Sequence, residues 1–344
     1  MDVLTLTRTL IDIPSVTGNE AEIGAFLAEH LKSLGYEVQI QSVATDRLNV
    51  IATLGKPPRV VFSTHMDTVP PFIASKDDAE FIYGRGACDA KGIIAAQICA
   101  AEKLRDQGFD EIGLLFTVDE ELASLGAQVA NNHSVAKHCE FMINGEPTDN
   151  LLAVGTKGSL RLTITAEGKS AHSAYPEGGE SAIDQLLDVL QSVRQLAWPK
   201  DNFFGETNCN IGTISGGTRP NIIPSRASAE LQIRVATSVE SVKQLVEEAV
   251  GERAEVTYSS AHNPVRLFSV SGIEQTVARF TTDIPYLSNW GRPLLIGPGS
   301  ILEAHTDHER VSKRRLHEAV DLYASLAKRL LSIAVAQASS PAYL

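Results

Sequence analysis

Apolar residues recur along this chain with two different periods, and the places where the period changes divide it. Residues 19–34 carry Ile23, Phe26, Leu27, Leu31 and Leu34 at helical spacing, and Gly35 follows the last of them. Such a stripe with a glycine past its end predicts an amphipathic helix and its stop. A strand-like YEVQI comes next. The run PRVVFSTH, ending at His65, is short, apolar and rich in β-branched residues, as a buried parallel strand is. Residues 91–107 place Ile94, Ile98, Ala101 and Leu104 on one helical face, and EIGLLFTVD and EFMINGE read as two further buried strands. Strands alternating with helices predict an α/β layer around a mostly parallel sheet.

After about residue 155 the texture changes. SLRLTITAEG alternates as a half-exposed strand does, and Ile183, Leu186, Leu187, Leu190 and Val193 line one side of a predicted helix. CNIGTISGG and ASAELQIRVAT are two more strands, SVESVKQLVEEAVG a helix and AEVTYSSA a last strand. The order β-α-β-β-α-β matches the split, ferredoxin-like pattern. From about residue 264 the α/β texture returns, with a helix expected near 272–281, a short strand PLLIG and a long amphipathic helix after Ser312. The expected organisation is therefore a discontinuous α/β domain, 1–155 and 264–344, with a small domain, 156–263, inserted in it. No internal repeat is visible.

Composition narrows the function classes. The chain has 344 residues, 43% hydrophobic and 21% charged, with a formal net charge of −12. That balance argues against nucleic acid or an anionic membrane as the main partner. Cys88, Cys99, Cys139 and Cys209 are scattered and form no C-x-x-C pair, which fits a reducing compartment. No run reaches the roughly 18 apolar residues of a membrane span, and the N-terminal stretch has no basic, apolar leader. The expected location is the cytoplasm.

The candidate chemistry sits where predicted strands end, the edge at which open α/β sheets collect their sites. His65-Met66-Asp67 follows the first buried strand, and residues two apart in extended chain share a face. A carboxylate there can hold the imidazole's other nitrogen and fix its metal-binding tautomer. Asp89 lies in the glycine-bearing segment GRGACDAKG that opens the 91–107 helix, where it could equally act as an N-cap. Asp119-Glu120-Glu121 follows EIGLLFTV, and Glu146 follows EFMIN. Gly297-Pro298-Gly299 leads into Glu303-Ala304-His305-Thr306-Asp307-His308-Glu309. Each segment has a bland reading as a solvated loop or cap. Together they form an inventory of two histidines and several carboxylates, suited to a pair of divalent zinc ions with open positions.

The ordered set HMDTVP, GRGACDAKG, TVDEE, GEPT and AHTDHE resembles the M20-type metallopeptidase and deacylase family, which contains acetylornithine deacetylase, succinyl-diaminopimelate desuccinylase, aminoacylase and glutamate carboxypeptidases. The resemblance spans essentially the whole chain. It implies a zinc-aminopeptidase-like catalytic domain with an inserted lid and dimerisation domain, and two bound divalent ions, zinc first, cobalt and manganese as alternatives. It also implies that His65 binds one ion and His305 the other, that Asp89 bridges them, and that Glu121 and Glu146 complete the two sites. Asp67 would orient His65. Glu120 would be the general base, activating the water between the metals and handing its proton to the leaving amine. A cis peptide is expected after Asp89. Because Glu120 and Glu121 cannot both face inward on a regular strand, the chain is expected to turn there.

In the lid, His172 resembles the histidine that steadies the oxyanion. Lys157, Arg219, Asn221, Arg234 and Gly297 resemble segments that grip substrate, an arginine fork being suited to a carboxylate. In dimeric relatives the counterparts of His172 and Asn221 reach the neighbouring subunit's site, so a homodimer through the lid is expected. Ala90 and Ala123 depart from residues common in relatives, as does Lys157, where arginine is frequent. The expected activity is removal of an acyl group from a small N-acyl amino acid of the N-acetylornithine or N-acetyllysine type. Desuccinylase and carboxypeptidase or dipeptidase activities are the alternatives, short peptides being the substrate in the latter case. A non-catalytic binding relative is the rival of another class.

Overall fold

The structure, a computed structural model, describes residues 2–333 and divides into two compact units. The first comprises residues up to Val154, Leu267–Thr276 and the chain from Thr282 onward; the second comprises Gly155–Arg266 and Val277–Thr281.

In the first unit the buried runs pair as expected. Strands Ile112–Thr117, Val60–His65, Phe141–Asn144 and Arg292–Leu295 lie side by side in that order, all parallel. Arg47–Thr53 joins antiparallel beside Ile112–Thr117, and Glu37–Ala44 pairs antiparallel with it at the edge. Every residue of Val60–His65 and Ile112–Thr117 is buried, which is why neither run alternates.

Helices Val3–Ile11, Lys91–Asp106 and Lys313–Leu331 pack on one another and contribute to the main core, as does helix Ala21–Ser33. Lys91–Asp106 is buried all round through Ala101 rather than along one stripe. A helix apolar on every side belongs inside. Each fully buried isoleucine or leucine in it contributes about 1.5–3 kcal/mol. The consequence for function is rigidity. Asp89 stands immediately before this anchored helix, at the carboxyl ends of the parallel strands.

One expectation fails in this unit's return segment. Residues Gln275–Ala278 form a strand against Leu152–Thr156, not part of a helix over 272–281. Ile273, Val277 and Phe280 have helical spacing, but Glu274 accepts from the Leu152 N–H and Ala278 accepts from the Lys157 N–H. These strand pairings override a weak local preference.

The second unit is a four-stranded antiparallel sheet in the order Asn208–Gly216, Arg226–Val235, Gly158–Glu167, Glu255–His262. Helices Ala182–Arg194 and Val239–Val250 complete the β-α-β-β-α-β succession. They share with the sheet a core of Leu160, Leu162, Ile164, Leu186, Val189 and Val246.

Candidate metal centre

His65 is the last residue of its strand, and Asp89, Glu121, Glu146 and His305 all sit on turns beyond element ends. The turns are built from backbone conformations that ordinary strands and helices do not use. Asp119, directly before the glutamate pair, has φ +72°, and His305 has φ +63°. The chain therefore turns at Glu120, as two adjacent inward carboxylates require. The Asp89-Ala90 peptide is cis.

Ligand atoms of His65, Asp89 and Glu121 lie within 4.8 Å of one another. Asp89 reaches both imidazoles: its Oδ1 is 3.0 Å from His65 Nε2 and its Oδ2 3.3 Å from His305 Nε2. His305 Nε2 is also 3.0 Å from Glu121 Oε1. His65 Nδ1–H donates to the Asp67 main-chain carbonyl at 2.9 Å, which leaves Nε2 as the nitrogen that faces Asp89. Glu146 is buried, and among the described residues nothing hydrogen-bonds its Oε1.

The electrostatics match that crowding. Burial pushes the Glu120 and Glu146 carboxyls well above their ordinary values, and each raises the other or is raised by further acids nearby. Burial also raises Glu121, against the hydrogen bond from His305. Hydrogen bonds to Asp89 and Glu121 lift His305 to about 10. Burial works against a charged His65 ring, but Asp67 and Asp89 overcome it and hold its proton. So many acids in one buried place are costly without cations among them. The donor set, imidazole nitrogen and carboxylate oxygen with an orphaned oxygen on Glu146, fits divalent zinc, cobalt or manganese.

Asp67 does more than the sequence expectation assigned to it. It holds His65 chiefly through its main chain, its Oδ1 standing 3.6 Å from the ring nitrogen. The carboxylate instead accepts the N–H groups of Glu120 at 3.1 Å and Glu121 at 3.3 Å, with Thr17 Oγ1 donating at 2.8 Å. Asp67 thus stands beside His65 and also clamps the turn that carries Glu120.

Sequence reasoning missed the rest of that clamp. Arg47 donates from Nη2 to Asp119 Oδ1 and to Glu20 Oε1, both at 2.6 Å, and from Nε to Glu20 Oε2 at 2.8 Å. Asp119 Oδ2 accepts the Leu125 N–H, closing the turn from within. Asp283 accepts from Thr117 Oγ1 at 2.7 Å, and burial pushes its carboxyl up to about 6. No local pattern marks these residues, because their partners lie tens to hundreds of positions away.

The remaining expected residues, Gly297 apart, belong to the second unit. Exposed His172 bridges to Ile222, and Ser173 N–H donates to the Asn221 carbonyl, so the His172 loop pairs with the Arg219–Asn221 loop. Lys157 is buried and donates to the Glu206 carbonyl; burial and Arg279 lower its pKa. Arg234 Nη1 donates to Thr281 Oγ1, which brings it beside the same short segment that carries Arg279. Gly297 is a buried packing position in the first unit, where a Cβ would stand 2.5 Å from the Glu146 carbonyl oxygen.

With this geometry in view, the chain matches two family models: a peptidase dimerisation domain over residues 154–257 and peptidase family M28 over residues 49–193. It is 38% identical to a peptidase M20 domain-containing protein of Schizosaccharomyces pombe, over 94% of this chain and 83% of that protein. It is 37% identical to a probable carboxypeptidase of Aspergillus niger, over 97% and 90%. Its fold is similar to a tripeptidase from Staphylococcus aureus (TM-score 0.80, 22% identity, 96% of this chain and 98% of that one). It is also similar to an M20 family metallo-carboxypeptidase from Sulfolobus solfataricus (TM-score 0.78, 17% identity, 97% and 100%). The chain belongs to the M20 family of metallopeptidases and is a hydrolase of peptide or amide bonds.

Proposed function

We propose that this hydrolase cleaves the amide bond next to a free carboxylate, with His65, Asp89, Glu121, Glu146 and His305 holding two divalent cations and Glu120 as general base. The observation that carries the reading is the packing of Asp89 against both histidines, with Glu121 closing on His305 and Glu120 next to it. Bound there, the cations supply Lewis-acid polarisation and a lowered pKa for water. Glu120 takes the proton of the attacking water and delivers it to the amine nitrogen as the carbon–nitrogen bond breaks. Asp67 holds the Glu120 main chain in place while the proton moves. The resemblance gives the second unit's His172 a role at the oxyanion and its Lys157, Arg219, Asn221 and Arg234 a role at the substrate's carboxylate, and both roles are part of this proposal.

Relatives at 35–37% identity named probable carboxypeptidases support a substrate that ends in an amino acid with a free carboxylate. An N-acyl amino acid presents the same carboxylate. The acetylornithine or acetyllysine preference expected from the motifs has no support from these relatives, so carboxypeptidase-type substrates rank first. We further propose that zinc is the metal and that the second unit, which matches a dimerisation domain, mediates a homodimer. Among the described residues no helix is long and apolar enough to cross a membrane.

The test is a turnover screen on the metal-reconstituted chain, with N-blocked dipeptides, N-acetylornithine, N-acetyllysine and N-succinyl-diaminopimelate. Release of a C-terminal amino acid, lost in Glu120→Gln, supports the reading. Turnover of acetylated amino acids alone would restore the deacetylase ranking. Binding of two metals with no turnover of any substrate would favour a non-catalytic relative.

A further inference from the structure

One buried guanidinium, on the segment that carries Asp89, bonds the segments that carry His65 and His305. Arg85, 2% exposed, donates from Nη1 to the Thr306 carbonyl at 3.1 Å and to Glu309 Oε2 at 2.8 Å. From Nε it donates to the Pro71 carbonyl at 3.2 Å, on the segment leaving His65 and Asp67. Its partner Glu309 is 1% exposed. Glu309 Oε1 accepts the N–H groups of Cys88 and Asp89, each at 3.1 Å, and its main-chain oxygen accepts the Gly84 N–H at 3.0 Å. Neither side chain hydrogen-bonds or ion-pairs with His65, Glu121 or Glu146, so the bonds by which the pair reaches the centre run to the backbone that carries ligands.

A purely structural ion pair has no need to bond the N–H of the one residue that spans both imidazoles. Nor does it need to hold the carbonyl beside His305, a residue kept at φ +63°. We propose that Arg85 and Glu309 are positioning residues for the two-metal centre, setting metal affinity by fixing the Asp89 main chain and the His305 loop against the strand end that carries His65. The proposal rests on the metal-binding part of the function proposed above, but not on its substrate.

Removing either partner alone buries a lone charge and destabilises the fold, so the informative variants are charge-balanced pairs. In Arg85→Met with Glu309→Leu, nothing accepts the Asp89 N–H. In Arg85→Met with Glu309→Gln, an amide oxygen still does. Zinc affinity is measured by competition with a chromophoric chelator, the ligand field by cobalt absorption, and fold stability by urea unfolding of the metal-free chains. Outer-shell partners of this kind are typically worth about 10–100-fold in metal affinity. The expected result is a loss of about that size, with an altered cobalt spectrum, in the leucine pair, most of it recovered in the glutamine pair at similar fold stability. Equal affinity in both pairs, or affinity that merely tracks stability, overturns the proposal. A wild-type chain that binds metal but turns nothing over defeats the substrate reading and leaves this one standing. A wild-type chain that binds no divalent ion defeats both.

Discussion

Replacing Arg47 by methionine removes the cation from between two carboxylates and keeps most of the side chain's bulk. Glu20 is fully buried and Asp119 1% exposed at the side chain, while Arg47 itself is 14% exposed. Three hydrogen bonds to charged acceptors disappear. At about 1.5–3 kcal/mol each their sum would be about 5–9 kcal/mol, an upper limit because the carboxylates can relax toward water or take up a proton. Breaking buried pairs by deleting one partner costs about 3–5 kcal/mol, so about 4 kcal/mol is the expected loss at neutral pH. For a unit of this size that corresponds to an unfolding midpoint lower by about 8–16 °C. Arg47→Lys retains charge without the fork and should lose less than the methionine variant. The assay is urea and thermal unfolding of both variants beside wild type, with kcat followed in parallel, because Asp119 directly precedes Glu120. A methionine variant within about 1 kcal/mol of wild type, with kcat unchanged, would refute the idea that this network holds the turn that carries Glu120.

Three further outcomes are expected. Stripping metal with a chelator should lower the unfolding midpoint, because a ligand at about 100 times its Kd stabilises the fold by about 2.7 kcal/mol per site; a calorimetric scan against zinc concentration reads this directly, and no shift would contradict a metal centre at His65 and Asp89. Glu120→Gln should retain both metals by elemental analysis while kcat falls about 100- to 10,000-fold, and retained turnover would remove Glu120 from the base's role. His30 is stacked on Phe26, and burial lowers its pKa, with Glu102 acting in the opposite direction. A histidine depressed by folding contributes stability above its unfolded value near 6.5 that is lost as pH falls, so His30→Gln should narrow the stability difference between about pH 7.5 and about pH 5.5; an unchanged difference in urea midpoints would show that His30 has no part in it.

The difference between what the sequence disclosed and what it hid follows from range. His65, Glu120, Glu121 and Glu146 stood out in the sequence because His65 ends, and the three glutamates come within a few residues after, a run that is buried along its whole length. Acids placed against a dry strand end are conspicuous. The inserted sheet was legible for a similar reason, since Arg226–Val235 is buried at alternate positions and Ala182–Arg194 buries a helical stripe. The strand Gln275–Ala278 was not, because four residues carry too little periodicity to outweigh a chance helical spacing.

The counter-charges were invisible for a deeper reason. Arg47 meets Asp119 across 72 positions and Arg85 meets Glu309 across 224, so no local pattern pairs either arginine with its acid. A ligand set concentrates one charge sign at one edge of a sheet, and burial raises the cost of that sign with every acid added. The fold therefore sets arginines beside some of the acids, and the metal centre proposed above would supply further cations. The two kinds have separable duties. Imidazoles and carboxylates face inward, where exchangeable ions fit. Each guanidinium stands behind a turn, bonding carboxylates and, for Arg85, carbonyls beside the ligands as well. An arginine placed inside the cluster would neutralise the acids and leave no room for catalysis. Placed behind the turns, it relieves the burial of Asp119 or Glu309 and leaves Asp89 free for the metal proposed there. That division explains why the acids nearest each arginine, Glu20, Asp119 and Glu309, are not the ones expected to bind metal, although Asp119 and Glu309 lie in the same motifs.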